Sequence, residues 1–207
     1  MALAEITDPA VPYTRRSFTP LYLEGRDHVR RLFAEAGLEV ELDAAANLIG
    51  RRPAGGNRPP IVLGSHTDTV PAGGRFDGIL GVLCALEVAE TLAEAGIALD
   101  HPLEIIDFLA EEPSEFGLSC IGSRAIAGAI TDEMLDATRP DGMTLREGIR
   151  FVGGDPEALA AVRRGPDAIH AYLEVHIEQA RALESASIPI GTVTGIAAIR
   201  RERISIE

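Results

Sequence analysis

Apolar residues recur along this chain in two rhythms, one of helices and one of strands. In LYLEGRDHVRRLFAEAG, Leu21, Val29, Leu32, Phe33 and Ala36 fall on roughly one helical stripe. Thr19 stands where an N-cap belongs, Pro20 suits the first turn, and Gly37 ends the run. LEVELD then alternates strictly, which predicts a half-exposed strand, and residues 47–51 offer it a short partner. Residues 52–60 are rich in Gly, Pro and Asn and predict a turn. Residues 61–64 are a short, continuous apolar run of the kind a buried parallel strand shows. They lead straight into the polar stretch SHTDTVPAGGRFDG.

ILGVLCALEVAETLAEAG predicts a long helix with an apolar face, ending at Gly96. Residues 102–109 predict a strand feeding into Glu111-Glu112-Pro113. A helix is expected over 121–129. Residues 131–167 are a charged, helix-prone excursion broken by Gly-Gly and Pro. AYLEVHI predicts a third strong strand, followed by a helix over about 178–185. IPIGTVTGIAAIRRERISIE closes the chain as one or two strands. The alternation of strand and helix predicts an α/β fold, a three-layer, largely parallel sheet flanked by helices. The β-rich tail has no following strand to pair with, so it reads as the start of a second domain. The expected boundaries are 1–188 and 189–207.

Composition narrows the function classes. With 207 residues, 46% of them hydrophobic, the chain can bury a real core in one large domain or two small ones. A net charge of -13 repels phosphate backbones, so no nucleic-acid partner is expected. No stretch is long and apolar enough to span a bilayer. The N-terminal MALAEITDPAVPYTRRSF lacks the apolar run of a signal peptide. No membrane partner and a cytoplasmic location are therefore expected. Cys84 and Cys120, with no Cys-x-x-Cys spacing, read as buried structural thiols.

The polar clusters fall beside strand ends, where open α/β sheets place their sites. They are His66 with Asp68, Asp77, Glu111 with Glu112, and His176. His-x-Asp after an apolar strand suggests a metal ligand whose other ring nitrogen is held by Asp68. The PAGG segment lets the chain loop back so that Asp77 reaches the same ion; a plain helix N-cap is the other reading of Asp77. Adjacent residues of an extended chain point opposite ways, yet at an irregular strand end Glu111 and Glu112 can face one cleft. One would bind metal and the other take a proton from water; a charged loop start is the alternative. His176, read inside its strand, is either a ligand or a satisfied core histidine. Two histidines and three carboxylates, with Asp68 set behind His66, together fit a two-metal nitrogen and oxygen site for zinc or a similar ion. His28, His101 and His170 lack such partners and read as surface or boundary residues.

GSHTDTVPAGGRFDGILGVLCALE resembles the M20 family of metal-dependent amidohydrolases and peptidases. AEEPSEFG, YLEVHIEQ and IPIGTVTGIAAIRR resemble its hydantoinase/carbamoylase branch, which includes N-carbamoyl-L-amino-acid hydrolases, β-ureidopropionase and allantoate amidohydrolase. The resemblance implies that His66 and His176 ligate a first Zn2+ or Mn2+ and that Asp77 bridges to a second. It implies that Glu112 ligates the second metal, that Glu111 is the general base and that Asp68 orients His66. Gln179 is implied to line the substrate side, and Gly78 to occupy a tight turn. Pro113, Glu115 and Ala180 depart from the family's usual EEEGSRFG and HIEQG.

Members of the family continue well past the length of this chain. The expectation that follows is an incomplete site, with one strong metal position and a lid/dimerisation domain only begun at residue 189. The implied substrate is a small ureido or N-acyl amino acid, and the implied assembly of the complete enzyme is a homodimer. The leading reading is metal-dependent hydrolysis of the ureido C–N bond of N-carbamoyl-L-amino acids, compromised in this chain. An M20 aminoacylase or dipeptidase is the second reading, and a non-catalytic metal-binding fragment the third.

Overall fold

The computed structural model of the chain describes residues 2–196. By their contacts they fall into two compact units, Met1–Ile177 and Glu178–Glu207. The first unit contains, in order, α1 (Ala2–Glu5), α2 (Pro20–Glu35), β1 (Glu39–Leu42), β2 (Leu48–Arg52), β3 (Ile61–Ser65), α3 (Ile79–Glu94) and β4 (Leu103–Asp107). There follow α4 (Ile121–Ile126), α5 (Asp132–Leu135), α6 (Leu145–Phe151), a 3-10 turn at Leu159–Val162, and β5 (Ala171–Leu173).

The strands form one five-stranded mixed sheet in the order β1-β2-β4-β3-β5. β3 is parallel to both β4 and β5, whereas β2 runs antiparallel to β1 and β4. Four of the five strands therefore point the same way and β2 alone opposes them. The α/β class stands, but the sheet is mixed: β1 and β2 are joined by a tight turn, which permits only antiparallel pairing.

Strand alternation sends side chains to two faces. Leu48, Leu103 and Ile105 join Val29 and Phe33 of α2 and Val82, Leu86 and Ala89 of α3 in one core. Ile49, Val62 and Ile106 face the other way, against Phe108, Ile126 and Ile169. A third core, around Phe18, Tyr22, Leu109, Phe116, Leu145 and Ile149, lies beyond the end of β4. Each fully buried Leu, Ile, Val or Phe contributes about 1.5–3 kcal/mol. The predicted capping holds: the Thr19 hydroxyl accepts from the Tyr22 amide with Pro20 in the first turn. α6 carries a full capping box between Thr144 and Glu147.

The central strand β4 is buried along its whole length, yet it contains two carboxylates. Each has a partner, as a buried charge requires. Glu104 pairs with Arg51 and Arg164 at 3.0 and 2.6 Å. Asp107 pairs with Arg26 of α2 at 3.2 Å.

Three elements end earlier than their sequence pattern suggests. β4 stops at Asp107 rather than at residue 109, and α4 stops at Ile126 rather than at 129. AYLEVHI is a strand only as far as Leu173, because β5 pairs with β3 only from Ile61 to Leu63. His176 therefore sits past the strand end and not within it. In the second unit, α7 (Ala182–Ala186) is five residues long, and the Glu178 carboxylate accepts from the Leu183 amide. Residues 189–196 form no strand, and the rest of the predicted terminal strands lies outside the described residues. Among the described residues, no helix is long and apolar enough to cross a membrane.

Candidate metal centre

β3 delivers His66 directly after its last residue, Ser65. The imidazole is buried, 2% exposed. Its Nδ1–H donates to the Asp68 carbonyl at 3.0 Å, and Asp68 Oδ1 lies 3.5 Å from the same nitrogen. That leaves Nε2 for another partner, the usual arrangement when a carbonyl or carboxylate fixes a ligand's tautomer. Gly78 makes room for the ring. A Cβ at that position would lie 2.3–2.4 Å from His66 ring atoms, and the backbone there has φ +69. The position therefore demands glycine twice, by space and by conformation.

Gly78 also occupies the N-cap position of α3. Asp77 is thus not the cap, and its carboxylate serves elsewhere: Oδ1 lies 3.3 Å from His176 Nε2. His176 is exposed in the loop after β5, so it is not a satisfied core histidine. The rings of His66 and His176 are 6.1 Å apart, centroid to centroid. One ligand atom from each of His66, Asp77 and His176 lies within 4.8 Å of the others, and among the described residues no second group of this kind forms. Two imidazole nitrogens and a carboxylate oxygen are a donor set that suits zinc or manganese. One nitrogen of each histidine and one oxygen of Asp77 are therefore close enough together to share such an ion.

The charge around the site also suits a cation. Burial lowers the His66 pKa, but the hydrogen bond and charge of Asp68, followed by the charge of Glu111, overcome it and raise it to about 10. Glu111 Oε2 is 3.6 Å from His66 Nε2. Burial raises the Glu112 carboxyl above its ordinary value; His66 opposes this, while Asp77 and Glu111 add to it. Both glutamates reach this region because the chain breaks its strand geometry at Ala110, with φ +46. Asp68 then anchors them, its two oxygens accepting from the Glu111 and Glu112 amides at 3.2 Å each. Glu112 lies outside the three-residue ligand cluster. Gln179 belongs to the second unit, where its backbone is left-handed, with φ +55.

Several supporting residues carried no label in the sequence pattern. Thr67 lies between His66 and Asp68 and turns its hydroxyl to Asp107 Oδ2 at 2.9 Å. Arg26 donates to the same oxygen at 3.2 Å, and Arg15 donates twice to the Thr67 carbonyl at 3.1 and 2.8 Å. A carboxylate inside the apolar run LEIIDFLA and an arginine on the apolar side of a helix were the available signals. Cys84 and Cys120 are both free and only partly buried, not buried as expected. The Cys120 thiol lies 3.5 Å from Glu111 Oε1, and burial raises its pKa. His101 and His170 do have a partner, each other, stacked at 3.9 Å between centroids.

The chain is 44% identical over 201 residues to the N-carbamoyl-L-amino acid amidohydrolase of Geobacillus stearothermophilus, covering 96% of this chain and 49% of that one. It is 37% identical to the ureidoglycolate hydrolase of Arabidopsis thaliana, covering 96% of this chain and 43% of that one. It thus spans about half the length of these curated relatives. The crystal structure of a hydantoinase/carbamoylase family amidase from Burkholderia multivorans matches with a TM-score of 0.81 at 37% identity, over 90% of this chain and 45% of that one. The model of the peptidase family M20/M25/M40 matches residues 62–207, beginning in β3 and taking in every candidate ligand. The chain belongs to that family.

Proposed function

We propose that this chain carries the metal centre of a hydrolase of the hydantoinase/carbamoylase branch, acting on the ureido C–N bond of N-carbamoyl-L-amino acids. The observation that carries the proposal is the convergence of His66, Asp77 and His176, with Glu111 beside them. The similarity to the N-carbamoyl-L-amino acid amidohydrolase supports the substrate class.

A zinc or manganese ion bound there supplies Lewis acidity that polarises the ureido carbonyl. His66 and His176 would hold the first ion, with Asp77 shared between it and a second ion for which Glu112 would be a ligand. Glu111 takes a proton from the attacking water and passes it toward the departing nitrogen. Asp68 keeps the His66 ring in register and fixes the backbone of both glutamates. Net, one ureido group and one water give the amino acid, ammonia and carbon dioxide. Gln179 is carried over from the family resemblance as a substrate-side residue. In this reading residues 1–188 would make up an incomplete metal-binding catalytic domain and 189–207 only the start of a lid/dimerisation domain. The protein works in the cytoplasm.

The similarity to ureidoglycolate hydrolase favours a second substrate, the ureido acid ureidoglycolate. Zinc titration of the chain by calorimetry tests the centre, and heat indistinguishable from buffer would remove it. Ammonia release from N-carbamoyl amino acids and ureidoglycolate, compared with free amino-acid release from N-acetyl amino acids and dipeptides, tests the substrate. Faster hydrolysis of the N-acetyl compounds or dipeptides would overturn the ureido reading.

A further inference from the structure

The two histidines of the centre are held very differently. His66 follows a central strand and is boxed in by Asp68 and Gly78. His176 projects from a loop three residues past the end of the edge strand β5. Its Nδ1 meets the carbonyl of its own neighbour Ile177, at 2.9 Å. A ligand on such a loop brings little preorganisation of its own, so something must fix the loop if the two imidazoles are to meet one ion.

Glu174 supplies that link. It stands two residues before His176, and both of its carboxylate oxygens are engaged. Oε1 accepts from the Ser65 hydroxyl at 2.7 Å, and Oε2 accepts from the Tyr172 hydroxyl at 2.7 Å. Ser65 is the residue immediately before His66 and is 1% exposed. The same Tyr172 oxygen lies 3.2 Å from the Gly64 carbonyl, so the ring is also packed against β3 there. The regular β3–β5 ladder stops at Leu63 and Leu173, so these side-chain bonds continue the attachment of the loop to β3 where backbone pairing has ended. α3 closes in from another direction: a Cβ on Gly81 would lie 2.5 Å from the Val175 carbonyl and 2.6 Å from Ser65 Cβ. Hydrogen bonds to a carboxylate are short and about twice as strong as neutral ones.

We propose that Glu174 is a positioning residue for the metal centre, tying the His176 loop through Ser65 and Tyr172 to the strand that carries His66. This rests on the reading of His66, Asp77 and His176 as metal ligands. Glu174 itself lies outside the ligand cluster. It acts through the placement of His176.

The test is zinc affinity of the 207-residue chain, measured by competition with a chromophoric chelator, with cobalt absorption as a second readout. Wild type, Glu174→Ala, Glu174→Gln, Ser65→Ala and His176→Ala are compared, each with its metal-free melting curve. Supporting residues of this kind typically change metal affinity about 10- to 100-fold. Glu174→Ala should lose about tenfold or more. Glu174→Gln keeps one carbonyl acceptor and should fall between Glu174→Ala and wild type, and Ser65→Ala should weaken zinc in the same direction. The cobalt spectrum at saturation should keep the wild-type ligand set in Glu174→Ala and lose it in His176→Ala. Wild-type affinity in Glu174→Ala would overturn the proposal. So would a Glu174→Ala cobalt spectrum matching that of His176→Ala, which would make Glu174 a ligand. A wild-type chain that binds no zinc would bring down the metal-centre reading itself, and this proposal with it.

Discussion

Replacing Gly78 by alanine tests the claim that the turn before α3 is shaped around His66. Two costs are separable. The first is conformational: at φ +69 and ψ −47 an alanine sits in the strained γ-turn region that L-residues rarely adopt, which costs at least the roughly 1–2 kcal/mol of a left-handed residue. The second is steric. The new methyl would lie 2.3–2.4 Å from three atoms of the His66 ring, and that ring is buried and tied to Asp68. Forcing such a group aside costs about 1–3 kcal/mol. Gly37 reports a positive-φ cost without the clash, since it has φ +76 and nothing within 4 Å of its would-be Cβ. Gly37→Ala should therefore lose about 1–2 kcal/mol and Gly78→Ala about 2–5 kcal/mol in all. At about 2–4 °C per kcal/mol for a chain of this size, the melting temperature falls by roughly 2–8 °C and 4–20 °C respectively. Urea unfolding followed by circular dichroism measures both, and chelator competition measures zinc. Gly37→Ala should bind zinc as wild type does, while Gly78→Ala should bind it more weakly because His66 Nε2 moves. Equal stability losses with unchanged zinc affinity would refute the steric argument.

Thr67→Val removes a hydroxyl from the buried Asp107 carboxylate, whose other oxygen, Oδ1, has no hydrogen-bond partner. The loss should be about 1–3 kcal/mol in urea unfolding, with Thr67→Ser close to wild type; a neutral Thr67→Val would show that Arg26 alone satisfies the pair. Glu111→Gln should bind zinc with unchanged affinity and abolish hydrolysis of an N-carbamoyl amino acid, since an amide cannot take the proton; retained turnover would remove Glu111 from the base role. The Glu147 carboxyl is held below its ordinary value by the Thr144 backbone and side-chain hydrogen bonds at the start of α6. Its contribution to stability is therefore fully present above the unfolded carboxylate pKa and is lost as pH falls through the lowered native one. Glu147→Ala should lower the urea midpoint at pH 7, and the gap to wild type should close in acid; a gap that widens there would contradict the capping box.

Much of the local structure was legible because periodicity is a property of contiguous residues. The stripe from Leu21 to Ala36 gave α2, and the apolar runs gave β3, α3 and β4, because each pattern permits only one way of burying its apolar side. The caps at Thr19 and the stop at Gly37 follow from local hydrogen bonding and backbone freedom. The candidate site residues were equally visible, since His66 and Glu111 follow apolar runs and Asp77 stands just before one. What the tertiary structure alone decided is which of these meet. β4 lies between β2 and β3, and β5 lies on the far side of β3; no feature of the local pattern dictates that order, because strand pairing joins segments far apart in sequence. The same pairing stops β5 at Leu173, which moves His176 out of a strand and into a loop, beside Asp77. It also brings Asp107 against Arg26 and Glu174 against Ser65, contacts that span 81 and 109 residues. A charge in an apolar run announces that it needs a partner, because burial without one is too costly. Which partner it finds is set by packing, where the whole sheet and its helices fix the few positions from which one side chain can reach another.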